Sequence, residues 1–228
     1  MKRGISILAL VTALLLSFAL YEGLIGAPTE RTMGEVQRIF YYHVPSAWTA
    51  FLLFLINFVA SVVYLVRRND KADILALVSA EVGVVFCTVV IVTGPIWARP
   101  VWGIWWAAGD IRLTTTLVLW LIYISYLVLH RFSTSGQTPV IAAVLAIFGA
   151  LDVPLVYFSI WFFRTQHPSP VIGGGGSLDP RMAHVLLINW AAFLCLAWLV
   201  SWTRYRLEVV KREVEEAQAL ESLLEGSR

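Results

Sequence analysis

Apolar positions fall in six long runs, at roughly 5–21, 44–66, 74–95, 113–129, 139–163 and 183–203, with most polar residues confined to the segments between them. A helix crossing a bilayer core needs about 20 predominantly apolar residues, and each run is near or above that length. The pattern predicts an all-α, polytopic membrane protein of six transmembrane helices. The first run follows Lys2 and Arg3, and Ser17-Phe18-Ala19 has the small residues of a cleavage site. It is longer than the apolar core of an ordinary secretory leader, so a retained helix is expected.

Composition agrees with the pattern. Hydrophobic residues make up 59% of the 228 residues and charged residues only 14%, against about 25% charged in a soluble domain. The net charge of +2 gives no reason to expect an acidic polymer as partner, and no nucleic-acid role is implied. Cys87 and Cys195 both lie inside apolar runs, which argues against a disulfide framework or a cysteine-rich metal site; they read as small buried hydrophobes. No nucleotide-binding loop is present, since Gly173-Gly174-Gly175-Gly176 has no following Lys-Ser/Thr and reads as a flexible linker.

Cations orient the bundle. With the N-terminus inside, the inner segments carry eleven Lys and Arg and the outer ones six, and the short RRNDKAD connection alone carries Arg67, Arg68 and Lys71. Positive residues concentrate on the cytoplasmic side, so both termini are expected inside (N-in/C-in) and three sizeable loops outside, at about 22–43, 96–112 and 164–182. Two parts follow: a transmembrane unit over residues 1–203, with a Trp-rich outer loop at 96–114, and a cytoplasmic charged helical tail over 204–228. On that tail Leu207, Val210, Val214 and Ala217 share a stripe, and Glu208 precedes Arg212 by one turn. The tail reads as a solvated extension of the last helix or as a docking surface.

The outer loops hold the chemistry. The stretch TGPIWARPVWGIWWAAGDIRLTT places Trp97, Trp102, Trp105 and Trp106 close together, followed by Asp110 and Arg112. Such a cluster is either an interfacial aromatic belt or a flat apolar platform for a large planar ligand. His43, in RIFYYHVPSAW, and His167, in WFFRTQHPSP, fall on the same predicted face, with Pro45 expected to open the second span. Neutral imidazole is a common axial ligand of haem iron, and two can close both axial positions. His184, at the start of the last span, competes for the second position, while His130 at the inner end of the fourth span reads as a helix cap.

These residues carry a family resemblance. Trp102-Gly103-Ile104-Trp105-Trp106 followed by Asp110-Ile111-Arg112-Leu113-Thr114 resembles the tryptophan-rich WWD signature of haem-handling membrane proteins. The short, six-span chain is similar within that group to the CcmC family of cytochrome c maturation. Tyr42-His43-Val44-Pro45 is similar to that family's first His motif, and Trp161 with Thr165-Gln166-His167 to its second, so the resemblance spans about residues 35–185. One departure stands out: the Trp usual directly before the acidic residue is missing, and Ala107-Ala108-Gly109 precede Asp110.

The resemblance implies a binding and transfer module rather than an enzyme. His43 and His167 would be axial ligands of a non-covalent b-type haem. Trp102, Trp105, Trp106 and Asp110 would belong to the platform, and Arg112, or Arg99, would meet a propionate. His184 has no counterpart and becomes structural. It further implies the cytoplasmic (inner) membrane, a haem site on the periplasmic side, and delivery to the haem chaperone CcmE beside the ABC-type pair CcmA and CcmB and the small subunit CcmD.

Two intramembrane acids support a different class. Glu81 lies in the third span and Asp152 in the fifth, just before Pro154. Acids at such depth are functional candidates by default, so a transporter of haem or another solute using Glu81 and Asp152 is the alternative. Against it, Asp152 is expected to satisfy a backbone group freed at Pro154, and no paired acids or symmetric broken helices suggest a secondary transporter. An electron-transfer haem protein is disfavoured because the His pair lies at the rim.

Overall fold

A computed structural model describes residues 2–133, 135–169 and 178–225; the Gly173–Gly176 stretch lies outside them. Six helices form the chain: α1 (Lys2–Tyr21), α2 (Phe40–Arg67), α3 (Asp70–Trp102), α4 (Ile111–Phe132), α5 (Thr138–Phe162) and α6 (Pro180–Glu225). A π-helical turn, Glu22–Gly26, extends α1, and a 3₁₀ turn, Glu35–Ile39, leads into α2. All six are long and apolar enough to cross a membrane, and among the described residues no strand is present, only an isolated bridge between Glu30 and Gly34.

Local chemistry sets the helix ends. Arg68 takes a left-handed conformation (φ 50°), returns its N–H to the Tyr64 carbonyl at 2.8 Å and stacks its guanidinium over the Tyr64 ring. Asn69 then caps α3 by accepting from the Lys71 N–H at 2.9 Å. The α2–α3 hairpin is therefore almost loopless. At its other end α3 runs through Pro95 and Pro100 and stops at Gly103, whose φ of 77° suits a residue without a Cβ. Two sequence expectations change here. Trp97 and Trp102 stand on a helix rather than in a loop, and α2 begins at Phe40, before His43 and Pro45, because the 3₁₀ turn feeds directly into it.

The bundle packs around α2 and α3. The Phe54 and Tyr123 rings stack with centres 3.8 Å apart, and α3 presents Gly83 to them, where a Cβ would come within 2.7 Å of the Phe54 ring. Asn189 on α6 donates to the carbonyls of Ala19 and Val185, fastening α1 to α6. Outward faces carry Leu10, Leu14, Leu55, Val85, Phe148 and Trp198, all exposed; a bilayer, not water, is the solvent for such a surface.

The end of the bundle that carries the start of α3 is ionic. Arg212 donates to Asp73 Oδ2 at 2.7 Å, Arg204 donates to Glu81 Oε1 at 2.8 Å, and Glu208 accepts from both arginines at 3.3 Å. Asp73 and Glu208 are only 3% and 4% exposed. Glu81 thus has a cationic partner on α6. His130 lies near this cluster, its Nε2 3.9 Å from Asp73 Oδ1. Asp152 Oδ2 is buried without a hydrogen-bond partner, so that oxygen does not satisfy a group freed at Pro154. Helix α6 passes residue 203 without a break, and Leu207, Val210 and Val214 are exposed along its extension.

Candidate functional site

At the opposite end, helices α2 to α6 and the connections that precede α2, α4 and α6 enclose a cavity of about 750 Å³, within the roughly 300–1,000 Å³ range of small-molecule and cofactor sites. His43 enters it from the first turns of α2. Its Nδ1 lies 2.8 Å from Thr93 Oγ1 on α3, and that hydroxyl donates its own hydrogen to the Val89 carbonyl at 2.6 Å. The hydroxyl oxygen must therefore accept, which places the proton on His43 Nδ1 and leaves the Nε2 lone pair free.

His167 reaches the cavity from the connection after α5. Its Nδ1 is 2.9 Å from the Pro168 carbonyl, which can only accept, so here too the proton sits on Nδ1 and Nε2 is free. The ring centres of His43 and His167 are 6.3 Å apart, tilted by 34°. Burial, then the facing Arg112 guanidinium, pushes His167 down to about 4, leaving its imidazole neutral at neutral pH.

Asp110 holds this connection in place. One carboxylate oxygen caps α4, accepting from the N–H groups of Arg112 at 3.0 Å and Leu113 at 3.2 Å. The other accepts from Thr165 Oγ1 at 2.6 Å and the Gln166 N–H at 2.8 Å. Thr165 Oγ1 in turn accepts from the His167 N–H at 3.0 Å. Burial alone would raise the Asp110 carboxyl, but these hydrogen bonds outweigh it and hold it below the usual carboxylate value.

The remaining sequence candidates divide by position. Trp97, Trp102, Trp106 and Arg112 line the cavity, with the Trp97 and Trp102 rings edge-to-face at 5.1 Å. Arg112 Nη1 is buried without a hydrogen-bond partner. Trp105 points outward, 59% exposed, with the Arg99 guanidinium 6.0 Å from its ring centre; Arg99 also donates to the Gly103 carbonyl. Neither Trp105, Arg99, Asp110 nor the exposed His184 is part of the cavity wall. Glu81 and Asp152 are not part of it either.

The profile of a family described as "Heme exporter protein C" matches residues 1–220. The chain belongs to the heme exporter protein C family. A heme exporter protein C of Bradyrhizobium diazoefficiens is 34% identical over 94% of this chain and 82% of its own length. One of Escherichia coli K12 is 29% identical over 97% of this chain and 90% of its own. A Marchantia polymorpha protein named as a putative cytochrome c biosynthesis ccmC-like mitochondrial protein is 31% identical over 80% of this chain and 78% of its own.

Several wall residues of this heme exporter protein C family member are not legible as site residues from sequence motifs. They include Gln37, Trp48 and Trp190, while Thr93 sits behind His43 rather than on the wall. Gln37 is 4% exposed with Oε1 unpartnered, and the Trp48 and Trp190 rings meet edge-to-face at 5.1 Å on the inner wall. The available signal was helical register: Val44, Ala47, Trp48 and Phe51 recur at the spacing of one helix face.

Proposed function

We propose that this protein binds b-type haem non-covalently in the cavity, through His43 and His167, and delivers it to the haem chaperone CcmE during cytochrome c biogenesis. The observation that carries this reading is the imidazole pair. With metal–imidazole bonds of about 2 Å, two imidazoles ligating one ion from opposite sides have ring centres roughly 6 Å apart, and the observed separation is 6.3 Å. Both rings keep Nε2 free. Among the described residues no group of three or more His, Cys, Asp and Glu is poised to hold a metal, so an ion held here needs its other ligands from elsewhere, and a tetrapyrrole brings four in one plane.

The donor set fits the rest of the ligand. Arg112 contributes a buried guanidinium nitrogen without a partner, suited to a propionate. Trp102 and Trp106 contribute apolar aromatic surface. Trp105 and Asp110 belong to the same proposed site, Trp105 as the exposed edge of the platform and Asp110 as the joint that keeps His167 in place. When bound, haem is cargo; the protein's work is to hold it, orient it and give it up.

The membrane placement follows from the cations. Both termini and the 204–228 extension lie in the cytoplasm, and the cavity opens on the periplasmic face of the inner membrane, where CcmE receives haem with CcmA, CcmB and CcmD in attendance. The transporter reading has less support, because Glu81 is committed to Arg204 and neither Glu81 nor Asp152 reaches the cavity.

The test is the absorption spectrum of the purified protein co-expressed with those partners, beside His43→Ala, His167→Ala and His184→Ala, together with haem covalently captured by CcmE. Low-spin haem lost only in the first two variants, with capture lost alongside, is the expected result. Wild-type protein that never carries haem would sink the reading, and failure of His184→Ala with an intact His167→Ala would reassign the second ligand.

A further inference from the structure

The two imidazoles are held by different kinds of support. His167 is braced by the carbonyl of the next residue in its own loop, whereas His43 is braced by a different helix. The α3 turn at Thr93–Gly94 forms a seat for its ring: Thr93 Oγ1 meets Nδ1 at 2.8 Å, and a Cβ on Gly94 would lie only 3.6 Å from Cε1. The hydroxyl also has the Val89 carbonyl, an acceptor, at 2.6 Å, so its hydrogen has a partner within α3 and its oxygen is left to accept.

We propose that Thr93 is the positioning residue for His43, fixing the tautomer and the ring direction that aim Nε2 into the cavity. The proposal rests on the haem reading above. A ligating imidazole is oriented by what its other nitrogen donates to, and that partner also raises its strength as a ligand. With no acceptor at Nδ1, His43 is free to rotate on α2 and to carry its proton on Nε2, a form that cannot ligate through the nitrogen aimed into the cavity. The hydroxyl does two things a hydrocarbon side chain of the same shape cannot: it selects Nδ1–H and it donates electron density through that bond.

The experiment compares Thr93→Val, Thr93→Ala and Thr93→Ser with wild type and His43→Ala, as full-length proteins loaded with haem in detergent. Low-spin fraction, haem affinity and the midpoint potential of the bound haem are read. Removal of an outer partner of this kind typically lowers affinity about tenfold or more. Valine and alanine should lower haem affinity by about that factor, reduce the low-spin fraction and raise the potential, since a weaker donor stabilises ferric iron less; serine should restore all three. If valine disturbs packing, alanine removes the hydroxyl without new bulk and carries the same comparison. Wild-type spectra and potentials in both valine and alanine variants overturn the proposal, as does a serine variant as impaired as they are. An unaltered spectrum in His43→Ala overturns the haem reading itself and this proposal with it. Loss in His43→Ala without loss in the Thr93 variants overturns this proposal alone.

Discussion

Asp110 and Thr165 are joined by a 2.6 Å hydrogen bond that crosses from the Trp-rich connection to the His167 connection. The same carboxylate caps α4 with its other oxygen, so one side chain ties together a helix start and both loops. Hydrogen bonds to a charged group contribute roughly 1.5–3 kcal/mol each. Asp110→Asn puts an amide where one of these accepting oxygens stood, and haem retention on dialysis should fall about tenfold or more. Thr165→Ala should reproduce most of the loss, and the double variant should lose little beyond either single one, because both break the same joint.

The joint also sets a pH response. The folded-state value of the Asp110 carboxyl is lowered, by hydrogen bonds from Thr165, Gln166, Leu113 and Arg112 that outweigh the opposing effect of burial. Its stabilising contribution is therefore fully present above the ordinary carboxylate value of about 3.9 and is lost as pH falls through the lower folded value. Wild-type tryptophan fluorescence should be flat from neutral pH down to that range. Asp110→Asn should lack the acid transition assigned to this group; a transition of unchanged size in the variant would remove Asp110 as its source.

Arg112 offers the cavity a guanidinium whose buried Nη1 has no hydrogen-bond partner among the described residues. Arg112→Ala should weaken haem binding about tenfold or more, the usual scale for one charge-assisted hydrogen bond. Haem with both propionates esterified should bind wild type and variant equally. Discrimination between the two ligands that survives in Arg112→Ala would place the propionate contact elsewhere.

Glu81 and Asp152 separate a binding module from a transporter. Glu81→Gln removes the charge paired with Arg204, and Asp152→Asn removes an acid outside the cavity. Both variants should keep the wild-type haem spectrum and haem capture by CcmE, whereas His43→Ala should lose both. Loss of capture with an intact spectrum in either acid variant would favour passage of a solute along those residues.

Asp73 and Arg212 predict a stability effect remote from the site. Removing one partner of a buried ion pair is typically destabilising by about 3–5 kcal/mol. Arg212 keeps partial solvent access and a second partner in Glu208, so Asp73→Ala should fall at the low end. Thermal unfolding in detergent should drop clearly while the haem spectrum of the folded fraction stays unchanged.

Much of this architecture is written in local pattern. The six apolar runs become six helices, and Trp97, Trp102 and Trp106 converge with His43 and Arg112 on one cavity, while Trp105 turns outward. Other features depend on pairs far apart in the chain. Nothing near Asp110 announces Thr165 as its partner, and nothing near Thr93 announces His43; such contacts are set by how helix ends and loops fold over one another. The ionic cluster was partly readable, since Arg204, Glu208 and Arg212 recur at one-turn spacing on α6. What that spacing did not supply was the facing element, α3, with Asp73 and Glu81. The reach of α3 through two prolines also escaped the hydropathy pattern. Each proline removes one i→i−4 hydrogen bond without stopping the helix, and Gly103, with its positive φ, ends it.

Helix α6 spans 46 residues without interruption, a length of about 69 Å at 1.5 Å per residue, more than twice the roughly 30 Å of a bilayer core. Met182 at one end lines the cavity, and toward the other Arg204 and Arg212, both bonded to Glu208 between them, grip Glu81 and Asp73 on α3. One continuous rod thus joins the wall of the chamber to an arm that projects beyond the salt bridges.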